Sequence, residues 1–296
     1  MAAYVLGALA LAVLAGASVV SLTDRHHSRP PATPAPGASA TPSPDGREVW
    51  VFTSAALRSV LADPASAARL RTGDVFELVT AGAPRAQGFT TEPTQVFTSS
   101  EALVEAVDGG TLLAGVRAVL FDPEAWSFTP TSDQSDPAAA TARAASAARA
   151  HGLYVIAAPA LSLVTAQTPA PTGPRWQSFL DLGLAGAVAA HVDAVDLQAQ
   201  SLVRDPATYR DFVSQAAAQA RAANPGVAVL AGVSTNPTGA PLAPGDVPAA
   251  MRSVGPVVSG WWMNIPTPGP KCPGCSPRRP DYAVAALADP STRVGH

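Results

Sequence analysis

The sequence predicts an α/β fold, a (β/α)8 TIM barrel spanning residues 48–290. Three observations predict it. Short β-rich runs alternate with Ala-rich helical runs, the pattern of parallel strands joined by helices. Several of these runs, such as 118–121 (AVLF), are apolar without interruption, as strands buried on both faces must be. Eight such units fill about 250 residues, the usual size of this barrel.

The first strand is expected over 49–53 (VWVFT), with a helix over 57–70. The second strand is expected over 75–79 and the third over 94–97, with a helix over 100–113. Ser99 or Ser100, just ahead of Glu101, supplies the short polar side chain that holds the free amides of a first helical turn. The fourth strand, 117–122, leads to a helix over 136–151, where Asp136 caps and Pro137 takes the first helical position. The fifth strand covers 153–158 with a helix over 176–190, and the sixth covers 192–198 with a helix over 206–223. The seventh covers 227–233 with a short helix over 247–254, and the eighth covers 257–264 with a last helix over 282–287. No Gly-rich turn follows the first strand, which excludes the dinucleotide-binding open sheet.

Composition removes other classes. With 47% hydrophobic and 14% charged residues, the chain has the apolar mass that a disordered protein lacks. A net charge of −3, with Lys271 as the one lysine, excludes a basic nucleic-acid binder. Two cysteines cannot build a disulfide scaffold. Residues 1–22 are almost wholly apolar and read as a signal peptide or a membrane anchor. Residues 23–47 are a linker rich in Pro, Ala, Ser and Thr, with a composition that cannot pack. Residues 291–296 are left as a tail. The expectation is an exported monomer, extracellular or tethered to the outer face of the cytoplasmic membrane, that meets a membrane only through its N-terminal segment.

In such a barrel the loops after the strands form the active face. The segments after strands four, six, seven and eight are polar and aromatic, whereas those before strands are plain. Residues two apart share a face of a strand, so Asp122 aligns with Glu124 if the strand runs on through Pro123, and Asp196 aligns with Gln198 and Gln200. Val195 and Leu197 then face the helices. Glu124 is the candidate general acid, because a carboxyl beside Trp126 and Phe128 loses solvation and holds its proton. Asp122 orients it or shares its proton, and Asp196 is the second carboxylate of a glycosidase-type pair. The plainer alternatives are a loop-capping Asp122, a surface ion pair for Glu124, and an Asp196 bonded to Gln198, Ser234 or Asn236. Gln198, Gln200, Asn236 and Asn264 are neutral groups suited to sugar hydroxyls, and Trp126 and Trp262 offer flat apolar faces for sugar rings. Parity with Asn264 directs Trp262, not Trp261, into the barrel. Cys272 and Cys275 form a C-x-x-C in a Pro-rich loop, read as a local disulfide. The histidines do not converge, so no metal site is expected, and no cofactor is expected either.

A D-x-E at the exit of strand four, polar residues on strand six and a Trp on strand eight resemble the chitinase-like glycosidases. That resemblance implies Glu124 as general acid, Asp122 as the residue that helps the substrate's acetamido group act as nucleophile, and Trp262 as the floor of the sugar site. The chain departs from that family's motif at Arg117, Leu120 and Pro123. The stretches 121–126 (FDPEAW), 196–200 (DLQAQ) and 234–237 (STNP) also resemble exported barrel proteins of high-GC actinobacteria. The expected function is a glycoside hydrolase-like protein that cleaves or binds an extracellular or cell-wall glycan by carboxylic acid catalysis. The alternatives are a non-catalytic carbohydrate-binding barrel, and a lyase or isomerase that uses a divalent metal held by the three carboxylates.

Overall fold

The computed structural model describes residues 46–168, 173–237, 241–268 and 277–295. The apolar segment 1–22, the linker up to residue 45, and Cys272 and Cys275 lie outside the described residues. The order is β1 (Val49–Thr53), α1 (Ser54–Leu61), α2 (Pro64–Leu70), β2 (Asp74–Val79), β3 (Glu92–Phe97), α3 (Ser100–Asp108) and β4 (Ala118–Phe121). It continues with α4 (Thr131–Ser135), α5 (Pro137–Ala150), β5 (Tyr154–Ala157), α6 (Val164–Gln167), α7 (Arg175–Asp181), α8 (Leu184–Ala189) and β6 (Ala194–Leu197). It ends with α9 (Pro206–Ala223), β7 (Ala228–Ser234), α10 (Asp246–Val254), β8 (Gly260–Asn264) and α11 (Pro280–Ala288). The eight strands pair in sequence order, all parallel, and β8 closes on β1 with Val49 opposite Gly260 and Val51 opposite Trp262. This is the closed (β/α)8 barrel that the sequence predicts.

Local chemistry sets the helix starts. Asp63, Asp136 and Asp205 each accept a backbone amide at the first turn, from Ser66, Ala139 and Thr208, and each is followed by a proline at the first helical position. Such a carboxylate satisfies amides that have no partner inside the helix. The helix expected over 57–70 is two helices, because the Asp63 cap and Pro64 start a second one. The helix expected over 176–190 is also split, at Gly183, whose φ of 65° lies in the left-handed region. The helix expected to reach 113 stops at Asp108, ahead of Gly109 and Gly110.

Strand alternation sorts the core into two parts. Trp50, Phe52, Val119, Phe121, Val195 and Leu197 face outward into the large cluster shared with the helices. Val51, Phe76, Leu120, Tyr154, Ile156 and Leu230 fill the barrel, and the Phe76 and Tyr154 rings meet there at 4.9 Å. This is a packed interior, so a ligand has access only at the ends.

The β2–β3 connection departs from the repeating pattern, since residues 80–91 contain no helix. Instead Glu77, fully buried and facing outward from β2, accepts the Ala86 amide at 2.8 Å and the Thr91 hydroxyl at 2.9 Å, with Arg85 at 3.5 Å. Burial pushes its carboxyl up, but these donors and Ser54 outweigh it and hold it below its ordinary value. The carboxylate is the core around which this connection folds.

The lower end of the barrel is clamped by Arg69, whose guanidinium meets Glu48 at 2.7 and 3.0 Å and donates to Ala286 O, Leu287 O and Thr292. Thr292, within the stretch 291–296 that the sequence alone leaves as a tail, is therefore held there and fully buried.

Candidate active site at the C-terminal end of the barrel

The candidate carboxyls lie at the C-terminal ends of β4 and β6. Asp122 follows β4 on the parity of Ala118 and Leu120, and Asp196 has the parity of Ala194, so both belong to the interior. Asp122 and Glu124 are partly exposed, whereas Asp196 has no exposed surface. Gln198 links the two strands: its amide nitrogen donates to Asp122 Oδ1 at 2.5 Å and to the carbonyl of Ala158 on the intervening strand at 2.7 Å. Among the described residues none of the three carboxyls has an ion-pair partner. Gln198 does not serve Asp196, and neither Asp196 oxygen has a hydrogen-bond partner.

This environment favours the protonated forms. Burial, and then the neighbouring charge of Glu124, push the Asp122 carboxyl up to about 7 against the pull of Gln198. Burial raises Glu124 as well. Burial and then Asp122 raise Asp196 well above the carboxylate range.

The loop that carries Glu124 is held by side chains that sequence reasoning did not single out. The Thr129 hydroxyl accepts the Glu124 amide at 3.2 Å and the Trp126 indole N–H at 2.9 Å. The Ser162 hydroxyl accepts the Ala125 amide at 3.0 Å, and Gln134 donates to Trp126 O and Thr129 O. No spacing rule marks Thr129 or Ser162, because their roles arise only once the loop has closed. Trp126 and Phe128 meet edge-to-face at 5.1 Å and remain 36% and 59% exposed, so this rim presents two aromatic faces to solvent.

The other candidates occupy the β6–β8 side. Trp262 packs against the interior cluster and its indole nitrogen has no partner, whereas Trp261 faces the helices and donates to Glu48 at 3.2 Å. The Gln200 side chain lies over Gly232 on β7, where a Cβ would stand 2.6 Å from it. Asn236 donates its amide to the Ser234 hydroxyl, and Asn264 accepts the Thr235 amide through its carbonyl at 3.0 Å. Asn264 shares the parity of Trp262 on β8 and so belongs to the interior side of that exit. Trp176, on α7, packs against the outer cluster.

The three carboxyls do not converge as ligands. Among the described residues no group of three His, Cys, Asp or Glu side chains is placed to hold a metal ion. The arrangement suits proton transfer to and from a bound molecule.

Fold and site together define a TIM barrel with a carboxyl-lined floor at the end where such barrels bind their ligands. No protein-family model matches the sequence, and no curated protein matches it. Among solved structures, a sugar phosphate isomerase/epimerase from Parabacteroides distasonis is similar at 11% identity and a TM-score of 0.45, over 88% of this chain and 100% of that one. The carboxyl transferase domain of Rhizobium etli pyruvate carboxylase is similar at 11% identity and a TM-score of 0.41, over 85% of this chain. The chain spans about half (49%) of that structure's length. Triosephosphate isomerase from Bartonella henselae is similar at 11% identity and a TM-score of 0.32, over 74% of this chain and 92% of that one. None of the three is a glycosidase, and at TM-scores below 0.5 none carries an argument about this chain.

Proposed function

We propose that this protein is an acid–base enzyme that acts on a neutral carbohydrate and breaks a glycosidic bond without a metal. One observation carries the reading: Asp122, Glu124 and Asp196 lie close together at the exits of β4 and β6, and among the described residues none of them has an ion-pair partner. The negative charge carried by the Asp122–Glu124 pair disfavours a phosphorylated or carboxylated sugar and suits one that carries only hydroxyl and amide groups. Gln198, Gln200 and Asn264 offer polar groups for those hydroxyls, and the exposed Trp126–Phe128 rim offers a stacking face.

Asp122 keeps its proton up to about pH 7 and lies beside Glu124, so the pair holds one proton between them. Glu124 is the proposed donor to the leaving oxygen. Once that proton has gone, two carboxylates face the positive charge that develops on the sugar; a water molecule then bonds the anomeric carbon, and the proton it loses returns to the Asp122–Glu124 pair. The apolar run 1–22 and the Pro-rich stretch after it support a substrate outside the cytoplasm, a cell-wall or other extracellular glycan.

The test is reducing-end release from a panel of soluble neutral glycans. The parent releases sugar from at least one of them, and Glu124→Gln loses turnover by about 100-fold or more while keeping its thermal midpoint. Unchanged turnover in Glu124→Gln removes the assignment. A second reading draws on the same Asp122, because a carboxyl that titrates near neutrality is also matched to removing a proton from carbon. Interconversion of free sugars with no bond cleavage would establish that isomerase reading. Binding without any product would leave a carbohydrate-binding barrel.

A further inference from the structure

Asp196 is the fully buried carboxyl of the floor, and the proton-donor scheme above does not use it. Its neighbours are set by register. Ala157 pairs with Phe121 on one side and with Val195 on the other, so the next rung places Asp122, Ala158 and Asp196 level on β4, β5 and β6. All three face the interior, and the central residue contributes only a methyl group, which leaves the two acids facing one another across it. Among the described residues no group is hydrogen-bonded to Asp196. The Gln198 amide nitrogen is committed to Asp122 and Ala158 O, and the Tyr209 hydroxyl on α9 donates to Gly232 O at 3.2 Å. Both Asp196 oxygens lack a partner. An ionised carboxylate so placed carries a desolvation cost that no hydrogen bond among the described residues offsets, whereas the neutral acid carries far less.

We propose that Asp196 is a positioning residue, kept as a neutral carboxylic acid across Ala158 from Asp122, so that the Asp122–Asp196 pair never carries more than one negative charge while the site works. The proton remains on the deep member, and Asp122 is left as the member that exchanges a proton with Glu124. Among the described residues the titratable groups that interact with Asp196 are Asp122 and Tyr209, with Glu124 beyond Asp122, and none of them is cationic. Burial and the nearby Asp122 both act in the direction of a retained proton. The proposal deepens the acid–base reading above, but its test needs no substrate, so either can fail alone.

The experiment is infrared spectroscopy of the full chain with 13C-labelled aspartate, titrated from about pH 5 to pH 9. Asp122 should ionise near pH 7, and one protonated aspartate band should persist at about pH 8 and vanish in Asp196→Asn. The absence of any protonated aspartate at pH 8 in the parent overturns the proposal, and this arm needs no variant that folds. The second arm is the thermal midpoint against pH. The native state holds a proton that the unfolded chain releases near pH 4, so the parent loses stability as pH rises above that value. Asp196→Asn lacks this loss and overtakes the parent on the alkaline side. Parallel curves for parent and variant overturn the proposal as well.

Discussion

Arginine 69 offers the sharpest test of how this barrel is held together. Its side chain is 2% exposed and meets a Glu48 side chain that is 9% exposed, with oxygen contacts at 2.7 and 3.0 Å. It also donates to Ala286 O at 3.2 Å, Leu287 O at 3.1 Å, and the hydroxyl and carbonyl of Thr292 at 2.7 and 3.0 Å, and its guanidinium stacks on Trp50 at 5.0 Å. Arg69→Ala removes all of this at once. Glu48 is left buried with only the Trp261 indole at 3.2 Å and the Val294 amide at 3.4 Å. Breaking a buried ion pair from one side costs about 3–5 kcal/mol, since the remaining charge has lost its partner. At roughly 2–4 °C per kcal/mol for a domain this size, the thermal midpoint should fall by roughly 6–20 °C. Amides of 290–295 should lose protection from hydrogen exchange first. Removing both charges with Glu48→Gln and Arg69→Met should recover much of the loss, because no buried charge is then left alone. If Arg69→Ala costs no more than about 1 kcal/mol, the range of an exposed pair, the clamp is not what holds the C-terminal segment.

Four further outcomes follow from the geometry. Glu77→Gln should destabilise the protein at neutral pH by about 1–3 kcal/mol and speed exchange of the Ala86 amide. Because the Glu77 carboxyl is held below its ordinary value, its contribution is present above the usual carboxylate range and is lost as pH falls through and below it; the variant should therefore show a flatter acid limb. Gln198→Leu removes the donor that pulls the Asp122 carboxyl down, so the pH at which activity falls should move upward in a pH–rate profile. In the parent, activity that needs the proton held by the Asp122–Glu124 pair should be present below about pH 7 and decline as pH rises through it. Gly232→Ala should leave the thermal midpoint within about 1 kcal/mol of the parent, since the flexible end of Gln200 can yield, and should raise KM by displacing that side chain; an unchanged KM removes Gln200 from the binding floor.

Much of the fold was legible from pattern alone. A strand buried on both faces has to be apolar throughout, so 118–121 and 228–234 announce themselves, and an Asp-Pro pair such as Asp136–Pro137 starts a helix by local hydrogen bonding and a fixed φ. Period-two alternation directed Asp122, Asp196 and Trp262 inward and Val195, Leu197 and Trp261 outward, because a pleat leaves no other choice. The helix breaks at Pro64 and Gly183 are local too, although the Ala-rich composition around them conceals where one helix ends.

Other features depended on contacts between residues distant in sequence. No local rule shows that Glu77 replaces a helix between β2 and β3, that Thr129 and Ser162 hold the Glu124 loop, or that Arg69 reaches Thr292 across 223 positions. Nor does spacing reveal that Gln198 spends its amide on Asp122 and leaves Asp196 without a partner. Periodicity assigns each side chain to a face because the backbone repeats; which side chains then meet, and what charge they can bear, is decided by closure of the sheet, which brings distant strands together and excludes water from between them.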